Sequence, residues 1–173
     1  MLQTLANLGE FLGGMAVIVG VLFAVIQMRQ YREAKQREIA LELLRSFQTP
    51  DFAKALRAVY GMRDDLTKEQ IEAHVGEDMH LVYALMTTWE SLGILVFRGE
   101  VSLSLVDDFF SGPITISGRK LKPYVKGERD EQDRETIEEW FEWLADRMME
   151  RESDVPPVPA HIAHRSWVPR EGS

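Results

Sequence analysis

Sixteen consecutive residues, Phe11 to Ile26, carry neither a charge nor an amide, and this run limits what the chain can fold into more than any other stretch. It reads FLGGMAVIVGVLFAVI, and from Leu5 to Met28 only Asn7, Glu10 and Gln27 interrupt its apolar character. A helix rises about 1.5 Å per residue and a bilayer core is about 30 Å thick, so the extended run spans it. A core helix of a soluble protein shows a polar face at the helical period, and none exists between residues 11 and 26. A cleaved signal peptide needs a basic start and a small-x-small exit. Residues 1–10 contain no Lys or Arg, and Val25-Ile26-Gln27 runs on into Met28-Arg29. The sequence therefore predicts a retained transmembrane anchor over 1–28. Arg29, Arg32, Lys35 and Arg37 follow it and no cation precedes it. The positive-inside rule then puts residue 29 onward in the cytoplasm and the amino terminus outside.

Two features of the run bear on function. Glu10 stands one residue before the unbroken stretch, where it reads as a marker of the outer interface, a proton-sensing role being the sharper alternative. Gly9, Gly13, Ala16, Gly20 and Ala24 recur at spacings of 4, 3, 4 and 4 and fall on one helical face. Such a stripe of small residues lets a second helix approach closely in lipid, so homo-oligomerisation through this face is expected as one possibility. The four cations at 29–37 are sufficient for topology; recognition of anionic lipid is the alternative.

Beyond Met28 nothing breaks the helix until Gln48-Thr49-Pro50, because the residue before proline is pushed out of the α region. Ile39, Leu43 and Phe47 form an apolar stripe there, on which a helical body is expected to dock. A chain of 173 residues supports one such body. A formal charge of −8 argues against duplex nucleic acid as the main partner. With no cysteine there is neither a disulfide framework nor a thiolate metal site.

Within residues 29–152 the spacing predicts a helix from Pro50 or Asp51 carrying Phe52, Leu56, Val59 and Tyr60 on one side. A short helix capped by Thr67 follows, and then a central core helix over 78–98 with Trp89 in its middle. Ser102 is expected to cap one short helix ending near Phe110. Residues 112–129 read as a helix interrupted near Pro123. Residues 135–152 are expected to form a last helix with Ile137, Trp140, Phe141, Leu144 and Met148 inward. Residues 153–173 hold four of the seven prolines and read as an extended or flexible tail.

No constellation for chemistry emerges. His161 and His164 supply two imidazoles where zinc sites take three or four ligands, and His74 and His80 stand six apart across a turn, where a solvated surface is the simpler reading. Ser111, Ser117 and Ser166 have no partner motif for nucleophilic attack. Catalytic, cofactor-binding and metal residues are therefore all expected to be none, and the chain is expected not to be an enzyme. Arg119, Lys120, Lys122, Lys126 and Arg129, with Tyr124 among them, make one basic island. It is expected to pair with the acidic last helix, with lipid headgroups or RNA as the other readings.

Leu8-Gly9-Glu10, Met15-Ala16-Val17-Ile18-Val19, Gln27-Met28-Arg29-Gln30 and the later WESLGILVFRGEVSLSLVDDFFSG stand in the order of a family the chain resembles over about residues 5 to 150. That family is a bacterial membrane family known as domain of unknown function 4760. The resemblance implies a single-span protein of the bacterial inner membrane with an all-helical cytoplasmic domain, and supplies no activity or ligand. The chain departs from it in its Pro-rich tail and at Phe23-Ala24-Val25, where a Tyr is common. The expected architecture is all-α, one transmembrane helix continuing into a cytoplasmic bundle. The expected partners are the lipid bilayer, a second copy through the anchor and an unidentified protein, with no nucleic acid and no cofactor. The expected role is protein interaction or scaffolding at the cytoplasmic face of the membrane, or else sensing of a cytoplasmic ligand or anionic lipid.

Overall fold

The computed structural model describes residues 2–47, 49–154 and 156–168, and every regular element among them is helical. The chain divides into two units, residues 1–47 and 48–173. The first is a single helix, α1 (Leu2–Phe47), continuous because no proline falls inside it and strong helix formers fill its second half.

The second unit begins with α2 (Pro50–Gly61). Thr49 caps it by accepting the Phe52 N–H at 3.2 Å, and Pro50 takes the first turn, where its missing N–H costs nothing. α2 buries Ala55 and Val59 and leaves Tyr60 exposed, so the inward face is rotated from the Val59–Tyr60 side that spacing suggests. α3 (Lys68–Val75) starts on a reciprocal capping box between Thr67 and Gln70. A 3-10 turn, Gly76–Asp78, leads into α4 (Met79–Phe97). Ser102 accepts the Leu105 N–H at 3.2 Å and opens α5 (Leu103–Gln132). α6 (Glu139–Asp154) and the single turn α7 (Ala160–Ala163) complete the unit.

α2 and α6 each pack against both α4 and α5, and α3 packs on α5. Trp89 fills the centre, fully buried, with Phe52 edge-on at 5.6 Å and Phe110 at 5.8 Å between ring centroids. Val59, Ile71, Val82, Val106, Leu121 and Leu144 are equally inaccessible around it. Glycine sets two of the crossings. A Cβ on Gly93 of α4 would overlap the Trp140 carbonyl, and one on Gly118 of α5 would overlap the Ala145 side chain of α6.

Three expectations are corrected. The short helix from Ser102 does not end near Phe110, and the next is not interrupted at Pro123: α5 runs for 30 residues through Pro113 and Pro123. Each internal proline removes a ladder hydrogen bond at a cost of about 3 kcal/mol. Burial of Val106, Phe110, Ile114, Leu121 and Val125 along the same helix outweighs it. The last helix begins at Glu139 rather than near 135, and residues 135–138 form turns. The tail is not wholly extended, since α7 forms within it, although every described residue from 156 to 168 is exposed.

Candidate functional site

In α1 every residue from Gly14 to Tyr31 is exposed, including Val17 at 66 %, Phe23 at 62 % and Ile18 at 61 %. This segment is 18 residues long, about 27 Å of helix, and is long and apolar enough to cross a membrane; a signal sequence meets the same criterion. Burying one such side chain is worth about 1.5–3 kcal/mol, so a run of this kind is strongly driven out of water. The stretch Lys68–Phe97 also qualifies by length and composition, but there α4 supplies Trp89, Leu85, Leu92 and Val96 to the core of the second unit.

The small-residue face of α1 is open. Ala16, Gly20 and Ala24 are exposed, and a methyl added at Gly20 would meet no other atom within 4 Å. Gly9, Gly13, Glu10, Leu43, Arg32 and Arg37 belong to the helix, but their side chains lie outside the described residues. Arg29, near the carboxyl-terminal end of the segment, and Lys35, beyond it, are exposed.

In the second unit the most distinctive surface lies where α4 ends and α6 begins. Phe97, 62 % exposed, lies tilted at 4.7 Å from Trp140 and edge-on at 6.0 Å from Trp143, and the two indoles are 6.1 Å apart. Trp140 and Trp143 are half-buried, and the tight crossing at Gly93 brings Trp140 over α4. Beneath this cluster Glu90 of α4 accepts the Phe141 N–H at 2.7 Å and so caps α6 from outside its own sequence. Burial, above all, raises the Glu90 carboxyl above its ordinary range. Trp140-x-x-Trp143, one helical turn apart, is the sequence signal that could have revealed this surface; the contribution of Phe97 from another helix carries none.

A groove of about 450 Å³ runs between α5 and α6. Phe141, Ala145, Val125 and Met149 contribute its apolar part, and Arg119, Lys122, Lys126 and Arg129 its cations. Asp65, Glu142 and Asp146 stand among those cations, so the rim is mixed in charge. The basic island is largely spoken for by the chain itself. Arg129 and Lys122 both pair with Glu142 of α6, at 2.6 and 3.4 Å, which lowers the Glu142 carboxyl below its ordinary range. Arg119 meets Asp64 at 3.5 Å, and Lys120 donates to the carbonyls of Tyr60 and Met62. Burial pushes the Tyr124 hydroxyl up to about 12.

The remaining chemical candidates stay apart. His74, His80, His161 and His164 are all exposed, and no cluster suited to a metal ion occurs among the described residues. Asp78 is held by Lys54 at 2.7 Å. Ser111 donates to Glu152 at 3.0 Å beside an open hollow of about 910 Å³. Ser117 is fully buried and Ser166 lies in the exposed tail. None of these serines stands within hydrogen-bond reach of a histidine among the described contacts.

No curated protein and no solved structure matches the chain. One family model does match it, over residues 14–148, from the first residue of the exposed apolar segment to the inward-facing Met148 of α6. That span takes in both units, and by it the chain belongs to the family described as Domain of unknown function (DUF4760).

Proposed function

We propose that the protein is a membrane-anchored, all-helical interaction module that acts by contact with another protein rather than by catalysis. The observation that carries this reading is an apolar α1 segment exposed throughout, in the same chain as a separate, fully cored helical unit. Water is an unfavourable surrounding for that segment and hydrocarbon a favourable one. Arg29, Arg32, Lys35 and Arg37, at and beyond its carboxyl-terminal end, orient the span with the amino terminus outside and the helical body in the cytoplasm of a bacterial inner membrane. The open Ala16–Gly20–Ala24 face supports pairing of two copies in the bilayer. The partner-facing surface is the Phe97–Trp140–Trp143 cluster, because exposed aromatics of this kind concentrate binding energy at protein interfaces.

The test compares the wild type with Phe97→Asp, both extracted in mild detergent after in-cell cross-linking. The reading requires a cross-linked species that depends on Phe97, together with reporters fused after residue 168 that are active only in the cytoplasm. Identical cross-linking in both proteins, or a periplasmic carboxyl terminus, contradicts it. The groove between α5 and α6 favours a second reading, a regulator that takes up a cytoplasmic ligand or an anionic lipid on its cationic rim. Lys126 is exposed there, and Lys126→Glu separates the two readings by weakening ligand binding while leaving the cross-link intact.

A further inference from the structure

The first turn of α6 is fixed by groups from two other helices. Glu90 of α4 accepts the N–H of Phe141 at 2.7 Å. Gly93, close by on α4, leaves the space that the Trp140 carbonyl occupies. Arg129 of α5 donates from Nε to the Ile137 carbonyl at 2.8 Å and from Nη1 to Glu142 at 2.6 Å. Glu138 sits between these fastenings, in the left-handed region at φ 51°, where a residue with a Cβ is disfavoured. One of its carboxyl oxygens, Oε2, is buried without a hydrogen-bond partner among the described residues.

We propose that Glu138 is a proton-dependent latch on the first turn of α6. Protonated, its carboxyl sits beside the Glu90 carboxylate without repulsion. Ionised, it places a second buried negative charge at that turn, loosens it and shifts Trp140 against Phe97. The charged groups that face the turn are Glu90 from α4, Arg129 and Lys122 from α5, and Glu139 and Glu142 within α6. Both cations are already committed, Arg129 to the Ile137 carbonyl and to Glu142, and Lys122 to Glu142. Burial, and then the Glu90 charge, push the Glu138 carboxyl up to about 7 against the opposing pull of Arg129. The latch thus operates where cellular pH varies. It goes beyond the interaction reading, since it requires only this corner of the bundle and no partner.

The experiment is a pH titration of tryptophan fluorescence on the full-length chain in lipid nanodiscs, with far-UV circular dichroism to follow folding. The wild type is expected to show a transition with a midpoint near 7. Glu138→Gln, which mimics the protonated state, abolishes it. Glu90→Gln keeps an oxygen for the Phe141 N–H, removes the neighbouring charge and moves the midpoint to lower pH by about half a unit or more. A flat wild-type curve overturns the proposal. So does a transition of unchanged midpoint in Glu138→Gln, which would assign it to the histidines. Should Glu138→Gln not fold, ¹³C titration of the glutamate carboxyls in the wild type decides: one carboxyl titrating near 7 supports the latch, and all of them titrating below about 5.5 overturn it.

Discussion

The Lys68 ammonium of α3 lies 2.5 Å from Oε1 of Glu128 on α5, with 9 % of the lysine side chain exposed. Glu131 Oε2 approaches at the same distance, the Tyr124 ring lies 5.7 Å away, and the lysine stem rests on Gly127, where a Cβ would come within 2.8 Å of it. These contacts raise the lysine above its ordinary range and hold Glu128 below its own. Lys68→Met leaves the two carboxylates facing each other and lowers the melting temperature. A double-mutant cycle with Glu128→Gln reads a coupling on the order of 1 kcal/mol. The depressed carboxyl contributes stability that is present above about pH 4.5 and lost as pH falls through its lower folded value. The deficit of Lys68→Met therefore narrows in acid, which thermal melts from pH 7 down to pH 3 measure.

Gly93→Ala is expected to be among the most disruptive single-methyl additions in the bundle. The new Cβ overlaps the Trp140 carbonyl, and forcing α4 and α6 apart costs about 1–3 kcal/mol. Gly61→Ala is the internal control, since its Cβ meets nothing within 4 Å at the end of α2 and no proline follows it. It gains up to about 0.5 kcal/mol from helix propensity alone. Denaturant melts of the two variants should move in opposite directions.

Glu138→Gln should stabilise the protein in a pH-dependent way. The wild-type carboxyl has its folded value raised to about 7 from an ordinary 4.5, so the folded state holds a proton that the unfolded state has lost. Stability is unaffected below about 4.5, falls as pH rises towards 7 and is level beyond it. Glu138 is only half-buried, so solvent screening reduces the effect to on the order of 1 kcal/mol. The variant and the wild type should unfold alike at pH 4 and differ by about that amount at pH 8.

Gly20→Leu puts a bulky side chain onto the open small-residue face of α1. Association in a membrane reporter assay should fall several-fold, whereas Leu22→Ala, outside the Ala16–Gly20–Ala24 set, should leave it nearly unchanged. Equal association in Gly20→Leu and wild type would remove the small face from the account.

What sequence spacing can read here is what neighbours in the chain decide. Thr67 with Gln70, Ser102 before Leu105 and the buried period centred on Trp89 are local, and each stands as its pattern suggests. The passage of α5 through Pro113 and Pro123 was not legible, because the proline rule is local while the compensating burial of Ile114 and Leu121 comes from helices distant in sequence. The start of α6 was equally hidden. Its cap is Glu90, 51 positions before Phe141, and no pattern around residue 138 encodes a carboxylate arriving from α4. Two of the three surface aromatics, Trp140 and Trp143, could have been read from the sequence; Phe97 joins them only once Gly93 has set the crossing.

The central claim is that hydrocarbon surrounds the side chains from Gly14 to Met28. The most direct measurement is alkaline carbonate extraction of membranes from cells making the full chain, followed by hydrogen–deuterium exchange on the fraction that holds it. The account predicts a pelleted protein whose backbone amides at 14–28 are protected in nanodiscs. A protein released into the supernatant, with those same amides protected in water by its own fold, would contradict it.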